Sequence, residues 1–436
     1  MTRRPVRRAR RHPHAVALAG TVLQLGLGTV YAWSFFQSIL VRDQLWTYTD
    51  TAWAFSLVIL ALGIAAAWAG VNLPKYGPRK LAMTGAALFS LSYLLGGVAL
   101  YLKSIPLFLL GYSLVGGIGI GLGYVTPVAT VAKWFPTARS RAIDVVVMGF
   151  GVGGLLMSMV LAPRLLVETN GDLAQVFMAL GVVFAGVLLP ATWFLQDPPG
   201  ARAVAPLAPL DGRSALADLR SVQFLGMWLV FFCNIAAGMA VISIQSPLVQ
   251  EIWGLWDPSL DAAALPRYGA TVVAVGSLCN GIGRLLWGAV SDHIGRIESF
   301  RLLLGAQVVL FGLMMTERNP QVFSVLVCCV LLCFGGGFAT MPAFVKDVFG
   351  ARRMPVMYGA MLTAMAAAGM AGPLLVASLK DNYPDRAVIY TFLAGVGLLG
   401  MGFVTSFLVN NDPHRPGQPA LDDLGIQAAG YRQPAA

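Results

Sequence analysis

The feature that most restricts this chain is a recurrence of long apolar runs. They fall at about residues 15–40, 51–72, 81–102, 105–132, 142–163, 173–195, 222–248, 267–291, 300–316, 320–345, 355–379 and 387–410. Most are close to the roughly 20 apolar residues that a helix needs to cross a bilayer core. In lipid each backbone N–H and C=O must be satisfied within its own segment, so such runs fold as helices. The composition agrees, with 57% of the 436 residues hydrophobic and 11% charged, against about 25% charged in a soluble domain. In water the chain would expose far more apolar surface than a soluble monomer carries. A soluble enzyme and a disordered chain are both excluded. The expected fold class is an all-α polytopic membrane protein with twelve transmembrane helices.

Orientation follows from the 30 Lys and Arg residues. Taking the connections alternately, 22 fall with the N-terminus, the segment at 196–221 and the C-terminal tail; seven fall on the other side. The positive-inside rule then puts both termini in the cytoplasm of a plasma (inner) membrane. The net charge of +10 is thereby a topology signal, and no nucleic acid partner is expected. Arginines precede the first run, but Ala15 to Leu40 is too long for a signal peptide and no small-residue cleavage site follows, so an uncleaved helix is expected. The chain divides into a basic cytoplasmic N-terminus (1–14), a six-helix half (15–195), a cytoplasmic linker (196–221), a second six-helix half (222–410) and a cytoplasmic tail (411–436).

Cysteine and histidine remove further chemistry. Cys233, Cys279, Cys328, Cys329 and Cys333 all sit in apolar stretches and read as small buried hydrophobes, not as disulfides or zinc ligands. His12, His14, His293 and His414 lie in terminal or loop sequence. No catalytic centre, metal or cofactor is expected, and the chain is not read as an enzyme.

Two short patterns repeat. Gly70-Val-Asn-Leu-Pro74-Lys-Tyr-Gly77-Pro-Arg79 follows the second run, and Gly288-Ala-Val-Ser-Asp292-His-Ile-Gly295-Arg296 follows the eighth. Lys133-Trp-Phe135-Pro-Thr-Ala-Arg139 and Lys346-Asp-Val-Phe349-Gly-Ala-Arg352 follow the fourth and tenth at nearly the same offset. Two six-helix repeats, with a site at the midplane between them, are the economical reading. Over essentially its whole length the chain resembles the major facilitator superfamily, whose signature is the Gly-x-x-x-Asp-x-x-Gly-x-Arg turn. In the second copy Gly288, Asp292 and Gly295 match, and Arg296 supplies the basic residue directly after the second glycine. In the first, Pro74 stands where the acid would be, which leaves the ionic latch usually assigned to that turn without its carboxylate. Tyr31-Ala-Trp33-Ser34, Trp134-Phe135-Pro136, Met148-Gly-Phe-Gly151 and Asn280-Gly-Ile-Gly-Arg284-Leu-Leu-Trp287-Gly-x-x-Ser291-Asp292 are similar to the oxalate/formate antiporter family and the monocarboxylate transporters. The resemblance implies alternating-access transport by a protein that is a monomer by family default.

The remaining basic residue, Arg284, lies inside the eighth run. At 1.5 Å per residue it is about 12 Å from Asp292 at one end and about 25 Å from Arg267 at the other. An Arg at that depth costs at least about 2.5 kcal/mol. All 20 acids sit in loops, termini or helix ends, Asp144 being the nearest. A buried charge needs a counter-charge or water, and a substrate carboxylate held by the guanidinium fork would supply one. Snorkelling towards Asp292 is the structural alternative. Ser277, Asn280, Arg284 and Ser291 recur at helical spacing, which suits a wet cavity better than lipid.

The family resemblance implies the same role for Arg284. It also implies that oxalate carriers use a Lys where this chain has Met365, so one fixed cation fits a monocarboxylate better than a dianion. Asn280 stands where proton-coupled relatives often carry Asp, and protons stay open as coupling partners, with Asp261 as a relay that nothing singles out. Tyr31 and Tyr124 occupy family-like positions near the site; Gln24 and Ser38 lie seven residues to either side of Tyr31 on the same face, and Gln24, Gln245, Phe334 and Phe338 read first as packing. The glycines of spans 4, 5 and 10 read as close helix contacts, not as a dinucleotide loop. The expected function is secondary transport of small organic anions, by exchange or proton symport. An oxalate-type antiporter and a proton-coupled drug exporter are the alternatives; the exporter lacks the embedded acid it would need.

Overall fold

A computed structural model describes residues 13–44, 46–135, 139–198 and 217–411. Nearly all of the basic N-terminus, most of the linker and almost the whole tail lie outside the described residues. Twelve helices among the described residues are long and apolar enough to cross a membrane. They are α1 Pro13–Asp43, α2 Tyr48–Tyr76, α3 Pro78–Tyr101, α4 Ile105–Trp134, α5 Val145–Glu168, α6 Leu173–Thr192, α7 Val222–Trp256, α8 Leu265–Ile294, α9 Arg296–Met314, α10 Pro320–Gly350, α11 Val356–Asn382 and α12 Pro384–Leu408. Each overlaps one expected run. The chain is an integral multi-pass membrane protein.

Local chemistry sets the helix ends. Thr47 and Asp50 form a reciprocal capping box at the start of α2. Asp172, Ser221 and Asn319 accept from the first free N–H groups of α6, α7 and α10. Gly77, Gly295 and Gly350 adopt φ of 78°, 99° and 79°, conformations that a Cβ disfavours. This accounts for the second glycine of the repeated pattern. The sequence reading of a turn from Gly70 onward is corrected: α2 stays helical through Tyr76, and the turn is confined to Gly77.

Three helices are not regular. α1 tightens into a 3₁₀ segment at Gly28–Ala32, which carries Tyr31. α4 and α5 widen into π-turns at Leu109–Leu114 and Met157–Leu161. At Gly28 a Cβ would lie 2.0 Å from the Phe150 carbonyl oxygen, so α1 and α5 meet backbone to backbone where the helix tightens.

The helices form two six-helix halves, α1–α6 and α7–α12, in a pseudo-symmetric arrangement. Between halves, α2 packs on α11 through Gly63 against Ala366 and Gly369 against Ile59. α5 packs on α8 through Gly151 against the backbone of Gly281, with Gly154 against Ser277. Small residues allow this approach where lipid gives no hydrophobic drive.

At the end remote from the termini, polar contacts cross between the halves. The Gln250 amide donates to Ser38 Oγ at 3.2 Å, and Ser38 and Ser246 hydroxyls are 3.4 Å apart. The Thr49 N–H and hydroxyl donate to Asp381 Oδ2 at 2.9 and 2.5 Å. Lys380, paired with Glu251, lies 4.9 Å over the Tyr48 ring. Replacing Asp381 by Ala should weaken this closure by about 1 kcal/mol, a roughly fivefold shift towards opening. Spin labels at Leu102 and Leu255, exposed at this end in opposite halves, should report a larger share of long distances. An unchanged distribution would show that Asp381 does not hold the halves together.

Candidate functional site

The polar stripe of α8 faces inward. Ser277, Asn280, Arg284 and Ser291 are all buried, with Arg284 only 1% exposed, while Val275, Leu278, Ile282 and Leu286 face the surroundings. The snorkelling alternative is thereby removed: the guanidinium is enclosed at mid-depth. Among the described residues it pairs with no carboxylate. Its Nη1 donates at 3.4 Å to the Val147 carbonyl of α5 in the other half. Its Nε and Nη2 are buried without a hydrogen-bond partner. Two aromatic faces cover it instead, with Phe338 of α10 at 5.0 Å and Phe150 of α5 at 5.6 Å. Cation–π contact recovers about 2 kcal/mol or more for a desolvated cation, but it leaves the Nε and Nη2 donors without an acceptor.

Three tyrosines converge on this group. The Tyr31 hydroxyl interacts with the guanidinium, and Tyr124 stands next to it. The Tyr31 ring meets Phe150 edge-on at 5.2 Å and Phe334 at 6.0 Å, and Tyr124 meets Phe150 at 5.0 Å. The third, Tyr358 of α11, lies within electrostatic range of both Tyr124 and Arg284 and was not anticipated. Its one signal was being the sole tyrosine of the eleventh run. Met365, one heptad further along α11, is buried and apolar, so α11 offers no second cation there.

Other expected residues divide. Asn280 lies one turn before Arg284, but its Oδ1 is directed at α10, where a Gly335 Cβ would sit 2.9 Å away. It flanks the guanidinium without a hydrogen bond to it. Gln24 is a packing residue whose amide donates to the Tyr124 carbonyl at 2.9 Å. Ser38 belongs to the remote closure, and Asp261 accepts the Ala263 N–H in the α7–α8 connection. Phe334 and Phe338, read first as packing, line the site.

The repeated turns are built differently. In the second copy Arg296 reaches Asp292 at 2.7 Å, Asp347 at 3.0 Å and the Ser291 hydroxyl at 2.6 Å, tying α8 and α9 to α10. Gly288 packs beside Ala339. In the first copy Pro74 is inside α2, Gly70 is a loosely packed helical residue, and Arg79 turns to α6. There it donates to the Trp193 carbonyl at 2.9 Å and stacks 4.6 Å over the indole. A carbonyl and a ring are thus among the contacts of Arg79 in the copy where Pro74 stands in place of the acid.

Chemically, the centre is a lone cation with two free N–H groups, phenol hydroxyls beside it and aromatic walls that exclude water. Such an arrangement has the chemistry to receive one anionic group.

Comparison with known proteins extends this. The chain is 27% identical over 375 residues to the oxalate:formate antiporter of Oxalobacter formigenes, covering 84% of this chain and 85% of that protein. It is 26% identical over 370 residues to human monocarboxylate transporter 11, covering 81% and 74%. Among solved structures, a bacterial homologue of the human lysosomal transporter Spinster, inward-facing and unoccupied, superposes with a TM-score of 0.67 at 15% identity, over 93% of this chain and 99% of that one. That similarity concerns the fold alone. The profile of the Major Facilitator Superfamily matches residues 16–373 and 227–433, and with the twelve-helix, two-half architecture this places the chain in that superfamily as one of its membrane transporters.

Proposed function

We propose that this transporter carries small monocarboxylates by alternating access, with Arg284 as the anion-binding group. The observation that carries the reading is the pair of buried, unpartnered donors Nε and Nη2 on an Arg that no carboxylate among the described residues neutralises. A carboxylate accepting from both would restore two charge-assisted hydrogen bonds in a low dielectric. Tyr31, Tyr124 and Tyr358 would add hydroxyls around the same anion, and Phe150, Phe334 and Phe338 would exclude water. Asn280 would border the site. The similarity to an oxalate:formate antiporter and to a monocarboxylate transporter agrees with an anionic cargo. Met365 favours a single carboxylate over two.

Reorientation of an empty carrier would expose an uncompensated guanidinium, which favours anion exchange or anion-plus-proton symport over free uniport. The turns holding Arg296 and Arg79 would gate the face that bears the termini. By the charge asymmetry of the connections, that face is cytoplasmic and the membrane the inner membrane. The monomer is taken as the working unit.

The test is thermal unfolding of the purified protein across a series of mono- and dicarboxylates. A specific ligand raises apparent stability by about 2.7 kcal/mol at a hundredfold excess over Kd. Monocarboxylates should give the largest shifts, and the same compounds should drive counterflow of labelled substrate in proteoliposomes. Dicarboxylates giving the larger shift would overturn the reading of Met365. Lipophilic cations giving it would overturn the proposal.

A further inference from the structure

The expectation of five buried cysteines holds for Cys233 and Cys333 alone. Cys279, Cys328 and Cys329 are half-buried, and all three line one cavity of about 360 Å³ between α8 and α10. Val275 and Val325, 43% and 60% exposed, form its rim. Residues exposed at these positions of two transmembrane helices face the bilayer, so the cavity opens sideways into lipid. Its far boundary is Trp253, stacked on Tyr268 at 4.2 Å. The Cys279 thiol of α8 and the Cys328 and Cys329 thiols of α10 line this one cavity together, with Cys279 and Cys328 in hydrogen-bonding reach of each other and Cys329 within electrostatic range of both. Neither the anion site nor the helix packing accounts for such a cluster.

Thiols brought together in a dry, polarisable setting are soft ligands. Among the described residues no group of three or more His, Cys, Asp or Glu is arranged to hold a metal, so a tetrahedral zinc-type centre is not what the cluster offers. Two facing thiols match an ion that prefers two-coordinate, linear thiolate binding. We propose that Cys279 and Cys328 form a dithiol site for a thiophilic d¹⁰ cation of the Cu⁺, Ag⁺ or Hg²⁺ type, entered from the bilayer. With HgCl₂ the step is an exchange without redox change: two S–H and two Hg–Cl bonds break, two S–Hg bonds form, and two protons and two chloride ions leave to solvent. The bridge would pin α8 to α10 one residue from Asn280, where a Gly335 Cβ would already stand 2.2 Å from the Asn280 carbonyl oxygen.

The probe is HgCl₂, whose neutral form enters lipid, added in slight excess to the full chain after reduction with a phosphine and desalting. The protein is then washed with a millimolar excess of monothiol, which strips singly bound mercury. Retained metal is counted by mass spectrometry against protein. The native chain and the Cys233→Ser and Cys329→Ser variants should keep one ion each. Cys279→Ser and Cys328→Ser should keep none. Cys279→Ala provides a second variant should the serine impair folding, judged by elution as a single species. A native chain that keeps no ion overturns the proposal. So does retention by a Cys279 or Cys328 variant, or loss of the ion in Cys329→Ser. The readout is independent of transport, so it stands or falls apart from the carboxylate reading.

Discussion

Arg284→Ala should abolish counterflow of labelled monocarboxylate in proteoliposomes, a fall of about a hundredfold or more, while the protein still folds. The magnitude follows from losing two hydrogen bonds to a charged group, each contributing about 1.5–3 kcal/mol. Arg284→Lys should restore little of the activity, because an ammonium is a point charge and lacks the planar fork. The same position should behave oppositely in stability. The guanidinium is 1% exposed and meets a carbonyl at 3.4 Å, two rings and the Tyr31 hydroxyl, with no carboxylate beside it among the described residues, so the unloaded protein carries an unfavourable buried charge. Arg284→Met should therefore raise the unfolding temperature of the apoprotein, by an amount corresponding to about 2 kcal/mol, and remove the shift given by carboxylate ligands. Normal counterflow by the alanine variant would remove Arg284 from the binding role.

The second large effect is expected at the crossing of α8 and α10. A Cβ at Gly283 would stand 2.1 Å from the Leu332 carbonyl oxygen, and one at Gly335 2.2 Å from that of Asn280. Both obstacles are backbone, so no side chain can turn aside. Gly283→Ala and Gly335→Ala should each destabilise the protein by about 1–3 kcal/mol, and transport should be lost as the helices carrying Arg284 and Phe338 are forced apart. At Gly312 and Gly400 an added Cβ would meet nothing within 4 Å, and the alanine variants there should stay within about 0.5 kcal/mol of the native protein. Thermal unfolding of the four variants in one detergent separates these outcomes. Equal behaviour of all four would mean that the crossing is slack.

The twelve helices were legible because lipid permits few alternatives: a run of that length and apolarity must satisfy its own backbone. Arg284 was legible for a related reason, since a single charge in a run of apolar residues is conspicuous without any structure. Tyr358 was not, because one tyrosine has no periodicity, and its place beside Tyr124 depends on how α11 packs. The remote closure was equally hidden. Thr49 and Asp381 are ordinary polar residues at helix ends, and nothing local links positions 332 apart in the chain. Pro74 announced that an acid was missing, but the replacement was unreadable because Arg79 found a main-chain carbonyl and an indole. The 3₁₀ turn at Gly28–Ala32 likewise owes its shape to the backbone of Phe150, over a hundred residues away.

The contact of Gly151 with Gly281 lies less than one helical turn from Arg284. A fulcrum so placed gives every rocking motion a short arm at the charge and a long one at the rims. For an arm of about 20 Å, the length of roughly 13 helical residues, a swing of about 15° sweeps a rim through about 5 Å. The guanidinium, a few ångströms from the pivot, would travel only about one. Cargo seated there would be handed from one side of the bilayer to the other almost without being moved.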